Sequence, residues 1–420
     1  MTLTSPVVER AASRPPEPGL TPADLVARAE AMAPTLVARQ AETEERTYYA
    51  EDTHRAFAEA GFYRITVPRR YGGYEFGFDT FLRVAMTLAR ACPSTGWMYC
   101  LGAAHSLVAA TLFSESAQEE MFRQGDFIAP AVVAPGGTAR RTPEGDWVLD
   151  GVWRYCSGAP YATHLIGHAL VDDQDGAPPR PLLFVAPRDR WRLLDDWGAQ
   201  LGLRGSGSHS IAIENGRIPG HFGLDGTHLS EISVVGGTPG RALHEHPQYG
   251  GAPLSSMALE GAAIGVAMAQ GALDAYAELM TTRTTMFPPF ARRVEDPDYQ
   301  RWYAQADGMI VGAEAAFRDA TRQWHELCAG DPAEFTLERD LRIALICREA
   351  AELAWRAVEQ VIQPTAGTSA VKAGERLERV WRDLSTAHTH AGFAVLLTTA
   401  AGRMYTQARF AAELSGGQPA

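Results

Sequence analysis

Apolar residues recur at steps of three and four positions in the first third of the chain, as in ADLVARAEAMAPTLVARQ and FLRVAMTLARA. This spacing places the apolar side chains on one face of a helix. It predicts helices over residues 21–65 and from Asp79 to Arg123, on either side of the turn-rich RRYGGYEFG. We therefore expect an N-terminal helical domain over residues 21–125. The proline-containing residues 1–20 are interpreted as a flexible leader, without the apolar segment of a signal peptide.

The pattern changes near Asp126, where short apolar runs are separated by Gly, Pro and Asp. FIAPAVV, DWVLDGVWRYC, HLIGHALV, PLLFVAP and SHSIAIENGRI are typical of strands bounded by turns. We expect a β domain over residues 126–240, in which GDWVLDGVWRYCSG is interpreted as a hairpin.

Helical periodicity returns after Pro253, over residues 254–282, 297–329, 334–362 and 375–412. Pro364 and Gly367 are expected to separate the last helix from the one before it. These segments predict a helical bundle over residues 250–415 and an α+β fold for the whole chain. The interface between a sheet and a bundle is a common place for a cofactor.

Charge and cysteine content narrow the function classes. The formal net charge of −12 argues against binding to nucleic acid or an anionic membrane surface. Five scattered cysteines without a CxxC pair indicate a reducing compartment, and we expect a cytoplasmic protein. The apolar SMALEGAAIGVAMAQGALDAYAELM is interrupted by Glu260, Gln270 and Asp274, so we expect a buried or amphipathic helix rather than a membrane span.

Five motifs in order resemble the acyl-CoA dehydrogenase superfamily, and within it the oxygenase components of reductase-dependent flavin monooxygenases. The motifs are GFYRITVPRRYGGYE, ACPSTGWMYCLGAAH, WRYCSGA, GLRGSGSHSIAIENGRIP and ERLERVWRDLSTAHTHAGF. The resemblance runs from about residue 25 to 412. It implies an N-terminal helical domain, a middle β-barrel or sandwich domain and a C-terminal four-helix bundle, usually assembled as a homotetramer.

The dehydrogenase branch of this superfamily commonly carries a Glu base eight positions after the Asp of an Arg-Asp pair. Here the pair is Arg382-Asp383 and the eighth residue is Ala391, whose methyl group cannot accept a proton. Other dehydrogenases hold the Glu on the first bundle helix, near Ser255. The nearest carboxylate there is Glu260, more than one helical turn away. The monooxygenase branch is therefore favoured.

The resemblance implies three catalytic residues. His390, near the position of Ala391, faces the flavin and acts as acid or base. Ser157 supplies a hydrogen bond at flavin N5, which stabilises a C4a-(hydro)peroxide formed from reduced flavin and O2. His105 lines the same pocket.

The remaining implied contacts are to the cofactor. Arg283 matches an Arg that reaches the flavin phosphate or ring, often from a neighbouring subunit, because its planar fork binds phosphate bidentately. Leu203 is expected in the pocket wall. The cofactor-binding residues are then Trp97, Ser157, Arg283, Arg204, Ser206, Gly367 and Thr368, with Ser208 as a further candidate.

Structural interpretations remain open beside these functional ones. Residues two positions apart on a helix are separated by about 200° around its axis, so His388 and His390 cannot point the same way. His388 is therefore expected at a surface, packing or interface position. A metal pair is disfavoured because helical ligand pairs use i,i+4 spacing. His390 could instead contact Asp383 through water. Ser157 could be an ordinary turn serine. GLRGSGSH lacks the strand–helix context of a dinucleotide fingerprint.

The predicted function is that of an oxygenase component that takes reduced flavin, FMN in preference to FAD, from a separate NAD(P)H-flavin reductase and uses O2 on a small aromatic or polycyclic substrate. Val132 and Val133 stand where related phenol hydroxylases can carry a substrate-binding Ser, which disfavours simple phenol ortho-hydroxylation. The alternatives are N- or S-oxygenation by the same chemistry, a dehydrogenase or oxidase with an unconventional base such as Glu260, and a catalytically silent relative.

Overall fold

A computed structural model describes residues 15–171 and 178–411. Helices occupy its N-terminal part: α1 (Pro22–Ala38), α2 (Gln40–Arg46), α3 (Glu51–Glu59), α4 (Phe78–Ala91), α5 (Pro93–Ala103), α6 (Ser106–Leu112) and α7 (Glu115–Met121). Helix α1 begins at a capping box, in which Thr21 and Asp24 each accept a hydrogen bond from the other's backbone N–H. Of the predicted leader, residues 1–14 lie outside the described residues. Leu20 is buried, and Glu17 pairs with Arg28 at 2.8 Å.

A seven-stranded mixed sheet follows, in the order β5-β6-β2-β1-β3-β4-β7. Its strands are β1 (Ala131–Arg141), β2 (Trp147–Trp153), β3 (His164–Val171), β4 (Arg180–Pro187), β5 (Arg192–Leu193), β6 (Ile211–Ile218) and β7 (Gly223–Asp225). The interpretation of GDWVLDGVWRYCSG as a hairpin is wrong, because this stretch forms only β2 and the turn after it. The hairpin partner of β2 is β1, and Arg141 pairs with Trp147 across the turn.

The C-terminal part is helical again: α8 (Pro239–Leu243), α9 (Pro253–Thr282), α10 (Pro297–Ala329), α11 (Leu337–Ala357), α12 (Gln363–Ala366), α13 (Arg376–His388) and α14 (Gly402–Arg409). Helix α9 is the central element and packs against α4, α10, α11 and α13. It is the one described helix long and apolar enough to cross a membrane, and most of its apolar window is buried inside the protein. The predicted fold class, with helices, a sheet and a helical bundle in that order, is confirmed.

The continuous helix predicted over residues 375–412 is wrong. Helix α13 ends at His388, and the chain resumes as a π-helical segment over Gly392–Ala401. At the break, the Thr389 hydroxyl and the Thr389 N–H both donate to Thr386 O, and His390 N–H donates to Ala387 O at 3.0 Å. These three-residue spacings tighten the last turn and end the α-helical ladder. His390 therefore lies in a turn, and the argument from its angle around a helix does not apply.

Candidate functional site

Three serines brought together from two loops form a buried hydrogen-bonded chain, which we call the serine cluster: Ser157, Ser206 and Ser208. Ser157 follows β2, and the other two lie in the loop before β6. Ser208 Oγ is 2.8 Å from Ser157 Oγ and 2.7 Å from Ser206 Oγ. Trp97 Nε1 on α5 donates to Ser157 Oγ at 3.0 Å. The structure thus brings Trp97, Ser157, Ser206 and Ser208 into one continuous network.

The proton count of the serine cluster leaves one donor free. Three hydroxyls carry three protons, and the two serine–serine contacts use only two of them. The indole N–H of Trp97 adds a donor and no acceptor, so it does not absorb the remaining proton. One hydroxyl proton is thus available to an acceptor outside the cluster. A hydroxyl proton in this position can be donated to an acceptor group of a ligand.

The loop that carries Ser206 and Ser208 is anchored by Asp383 of α13. Its carboxylate accepts from Leu203 N–H at 2.6 Å and from Ser94 Oγ at 2.8 Å, and Ser94 Oγ in turn accepts from Gly205 N–H at 3.3 Å. Beside it, Arg382 donates to Leu201 O at 2.9 Å. The Arg-Asp pair therefore acts on the site by holding the loop in place.

Burial raises the pKa of Asp383 to about 6, although its hydrogen bonds from Leu203 and Ser94 and the Arg382 charge act in the opposite direction. The anchored loop is also strained, because Leu203 has φ of 53°. Tyr155, two residues before Ser157, has φ of 62°. Non-glycine residues in this region persist only where surrounding contacts enforce them, and they concentrate at functional sites.

His390 approaches the serine cluster from the other side, through Trp97. The two ring centroids are 5.3 Å apart, in an edge-to-face arrangement at 73°. Gly392 N–H donates to His390 Nδ1 at 3.2 Å, so in the neutral ring the proton lies on Nε2. The residue is exposed to solvent, yet the surrounding protein desolvates the ring and lowers the pKa of His390. His390 is therefore held neutral, with Nε2–H as its donor.

His388 lies elsewhere, as expected. Its Nε2 is 3.0 Å from Glu352 Oε2, and its ring stacks on Trp355 with centroids 4.8 Å apart. These contacts tie α13 to α11 at the surface. His388 makes no contact with Trp97 or the serine cluster within the described residues.

His105 is not brought into this cluster. It is 1% exposed, its Nδ1–H donates to Ala129 O at 2.7 Å, and its Nε2 is 3.4 Å from Glu260 Oε2. Burial alone would lower the pKa of His105, but the Glu260 charge and hydrogen bonds outweigh it and raise the pKa. Both facing atoms lack a hydrogen bond of good geometry within residues 15–171 and 178–411. His105 and Glu260 thus form a buried pair between the turn that joins α5 to α6 and helix α9.

Arg204 is half-buried at the edge of the serine loop, and its Nε donates to Gln200 O at 2.7 Å. Leu203 is buried, and its carbonyl accepts from Trp197 Nε1 at 2.9 Å. Neither side chain makes a hydrogen bond to the serine cluster in the described part of the chain.

Arg283, Gly367 and Thr368 form a separate group at the far end of α9, which we call the distal cluster. Arg283 donates to Ser369 Oγ, and Gly367, with φ of 87°, lies beside Arg293, whose Nη1 donates to Ala366 O at 2.8 Å. Phe393, close to His390, contacts Gly261 near the start of α9. At a rise of 1.5 Å per residue, Arg283 lies about 30 Å from this point. The predicted cofactor contacts therefore fall into two places within one chain.

Sequence reasoning missed the roles of Ser94 and Asp383 and the conformation of Tyr155. Asp383 was used to count to Ala391 and was considered as a water-mediated contact of His390, whereas Ser94 stood unnoticed inside the quoted ACPSTGW. Their contact joins residues 289 positions apart, so no local pattern signals it.

The donor set fits a flavin. Hydroxyl groups can both donate and accept, which suits ring nitrogens that change protonation with redox state. The spare proton of the serine cluster is a specific observation in favour of such an acceptor, and Trp97 and His390 add aromatic and donor surfaces beside it.

Comparisons with known proteins agree with this chemistry. "Acyl-CoA dehydrogenase, N-terminal domain" matches residues 24–124 and "Acyl-CoA dehydrogenase, C-terminal domain" matches residues 259–395. The chain is 29% identical over 379 residues to the "Flavin-dependent monooxygenase, oxygenase subunit HsaA" of Rhodococcus jostii (strain RHA1), covering 87% of this chain and 93% of that protein.

The names of two further relatives include a reduced flavin. The "FADH(2)-dependent resorcinol hydroxylase, oxygenase component" of Rhizobium sp. (strain MTP-10005) is 26% identical over 392 residues, covering 90% of this chain and 93% of that protein. "XiaF from Streptomyces sp. in complex with FADH2 and Glycerol" is 25% identical with a TM-score of 0.82, covering 93% of this chain and 96% of that one. The first of these is named as an oxygenase component and the second as a complex with FADH2, in agreement with the reduced flavin that the motifs of this chain indicated.

Proposed function

The chain belongs to the acyl-CoA dehydrogenase family, and from this premise we propose that it is the oxygenase component of a two-component flavin-dependent monooxygenase. The observation that carries the proposal is the serine cluster with its spare proton, capped by Trp97 and approached by His390. The related oxygenase components support the same reaction class. A separate reductase then supplies the reduced flavin. The relatives described above favour FADH2 as the first flavin to test, with FMNH2 beside it.

When bound, the reduced flavin supplies the two electrons that activate O2. Ser157 holds a ring nitrogen through its hydroxyl, and Trp97 fixes the direction of that hydroxyl by donating to it. Ser208 and Ser206 complete the chain behind Ser157. His390 Nε2–H donates a proton or hydrogen bond to an oxygen atom of the substrate or of the oxidant. The lowered pKa of His390 keeps the ring neutral, so Gly392 N–H remains bonded to Nδ1.

The named relatives support the substrate class. We assign a small aromatic molecule, oxygenated at carbon, nitrogen or sulfur. Val132 and Val133 offer no hydroxyl, and their carbonyl oxygens already accept from His168 Nδ1 and His228 Nε2. A phenolic oxygen would therefore need a partner elsewhere.

Assembly as a homotetramer and a cytoplasmic location are part of the proposal. Within the described residues, the distal cluster makes no hydrogen bond to the serine cluster. In the proposed assembly it serves the flavin of a neighbouring subunit, with Arg283 as the phosphate or ring contact.

No observation favours the dehydrogenase alternative. Glu260 is 1% exposed, and its carboxylate faces His105 rather than the serine cluster or His390. A base for removing a substrate proton needs access to that proton.

The test is rapid mixing of the purified protein and reduced FAD, or reduced FMN, with oxygenated buffer. We expect slower release of hydrogen peroxide than from free flavin, and oxygen consumption coupled to product with a panel of phenols, indoles and aromatic thioethers. Reoxidation identical to that of free flavin with every substrate, together with reduction of bound oxidised flavin by an acyl-CoA, would instead establish the dehydrogenase.

A further inference from the structure

The ring of Phe393 lies directly against the backbone of Gly261 in α9. A Cβ atom built on Gly261 would lie 2.1 Å from Phe393 Cζ and 2.7 Å from Cε2. No pair of non-bonded carbon atoms tolerates such distances. Glycine is disfavoured in a helix interior relative to alanine. The ring of Phe393 thus occupies the place that a side chain at position 261 would need.

Phe393 is tied to His390 through the backbone. Its N–H donates to His390 O at 2.9 Å. Between them, Gly392 N–H donates to His390 Nδ1 at 3.2 Å, and a Cβ on Gly392 would lie 3.1 Å from that nitrogen. A displacement of Phe393 is therefore transmitted to the carbonyl and the ring of His390.

The far side of Phe393 is held as well. Thr398 Oγ1 donates to Phe393 O at 2.7 Å and accepts from Arg348 Nε at 3.2 Å. The neighbouring Ala391 and Ala394 are exposed, and Val395 is 62% exposed, so they contribute little packing. Phe393 is a large side chain that packs this turn against α9.

We propose that Phe393 and Gly261 are positioning residues that place His390 against Trp97. They act through His390 and contact neither cofactor nor substrate. The structural part of this inference concerns the protein alone, and its catalytic consequence rests on the proposed function.

The first experiment compares two glycines one turn apart on α9. Gly261→Ala forces the Phe393 ring away, whereas Gly265→Ala places its Cβ 3.5 Å from Ala351 Cβ, an ordinary contact. Crystal structures of the flavin-free proteins report the separation of the His390 and Trp97 ring centroids. We expect Gly265→Ala to keep the 5.3 Å separation. In Gly261→Ala the separation of the two ring centroids should exceed about 7 Å, the upper limit for paired aromatic rings.

The second readout is the ratio of oxygenated product to hydrogen peroxide under steady turnover. A displaced His390 should lower this ratio about tenfold or more in Gly261→Ala, because small misplacements of a reacting group are costly. KM for the aromatic substrate should change little, because neither residue contacts it. Gly265→Ala should match the unmodified protein.

Rescue separates positioning from general damage. Replacing the Phe393 ring with the smaller leucine side chain, by Phe393→Leu in the Gly261→Ala background, should make room for the alanine methyl group. It should restore both the separation of the His390 and Trp97 rings and the product ratio. If Gly261→Ala does not fold, the same two measurements on Phe393→Ala test the proposal. Unchanged ring separation and product ratio in Gly261→Ala, or in Phe393→Ala in that case, would overturn the proposal. If the unmodified protein yields no oxygenated product, the proposed function fails, and the crystallographic comparison still tests the positioning.

Discussion

The two sides of the candidate site are built in opposite ways. The serine side is held by hydrogen bonds that involve α5, α13 and the turn after β2. It is buried, and Ser206 is wholly inaccessible to solvent. The histidine side is a turn in which His390 and its neighbours are exposed and one ring, Phe393, contacts α9. The difference teaches that the hydroxyl donors are preorganised by the packed interior, whereas the titratable donor lies in an exposed turn that Phe393 packs against α9 and Thr398 links to Arg348.

The largest expected effect tests how far the serine side depends on its anchor. Asp383→Ala removes the acceptor of Leu203 N–H and of the Ser94 hydroxyl proton, so two buried donors lose their partner. We expect a loss of about 3 kcal/mol in the free energy of unfolding, measured by urea denaturation. Asp383→Asn keeps a carbonyl oxygen for Leu203 and should lose less than half as much. Equal unfolding midpoints for Asp383→Ala and the unmodified protein would remove Asp383 from this role.

The histidine side should show the reverse pattern, a catalytic loss with little loss of stability. His390→Ala should lower product yield about 100-fold, as expected for a positioned proton donor, while flavin affinity stays nearly constant. His388→Ala is the matched control, because it removes only a partly exposed contact with Glu352 and Trp355. It should change stability by about 1 kcal/mol or less and keep full activity. An inactive His388→Ala with an active His390→Ala would reverse the assignment.

A gradient along the serine cluster sharpens the comparison further. Ser157→Ala leaves Trp97 Nε1 without its acceptor and breaks the chain next to the proposed flavin contact. The ratio of product to hydrogen peroxide should fall about tenfold, the equivalent of one hydrogen bond. Ser206→Ala, at the other end, should change the ratio less than about threefold. Equal effects of the two substitutions would argue against Ser157 as the contact residue.

The smallest expected effect is the pH dependence. The lowered pKa of His390 leaves the ring neutral above its ordinary value of 6.5 and for some distance below it. Product yield should therefore be constant as pH falls to 6.5 and decline only at lower pH, as Nδ1 takes up a proton and loses the Gly392 N–H. In His390→Gln this decline should be smaller, and the part that remains would come from Asp383, whose pKa is raised by burial to about 6. A decline in wild-type yield that begins above pH 6.5 would contradict the neutral-ring assignment.

Local patterns were sufficient for the elements and their order. Helix α10 runs from Pro297 to Ala329, as predicted, because a proline at its first turn and Gly330 after its end are local signals. Strands β2, β3 and β6 lie within the runs marked by strand and turn signals, and β4 begins one residue before its run, at Arg180. The domain limits at residues 125, 240 and 250 stay predictions. The break at Thr389 was missed because apolar spacing continues through a π-helical segment and does not reveal the interruption.

Composition and periodicity defined the class of fold, and the motifs pointed to the family and to Trp97, Ser157, Ser206 and His390 as residues of interest. Their grouping around one site, the pairing of His105 with Glu260 and the placement of Arg283 beside Ser369 followed from packing alone. The contacts responsible join segments 289 and 180 positions apart, from Asp383 to Ser94 and to Leu203. A periodic pattern shows which face of an element is buried, but the burial partner and the hydrogen bonds across it depend on the complete three-dimensional arrangement.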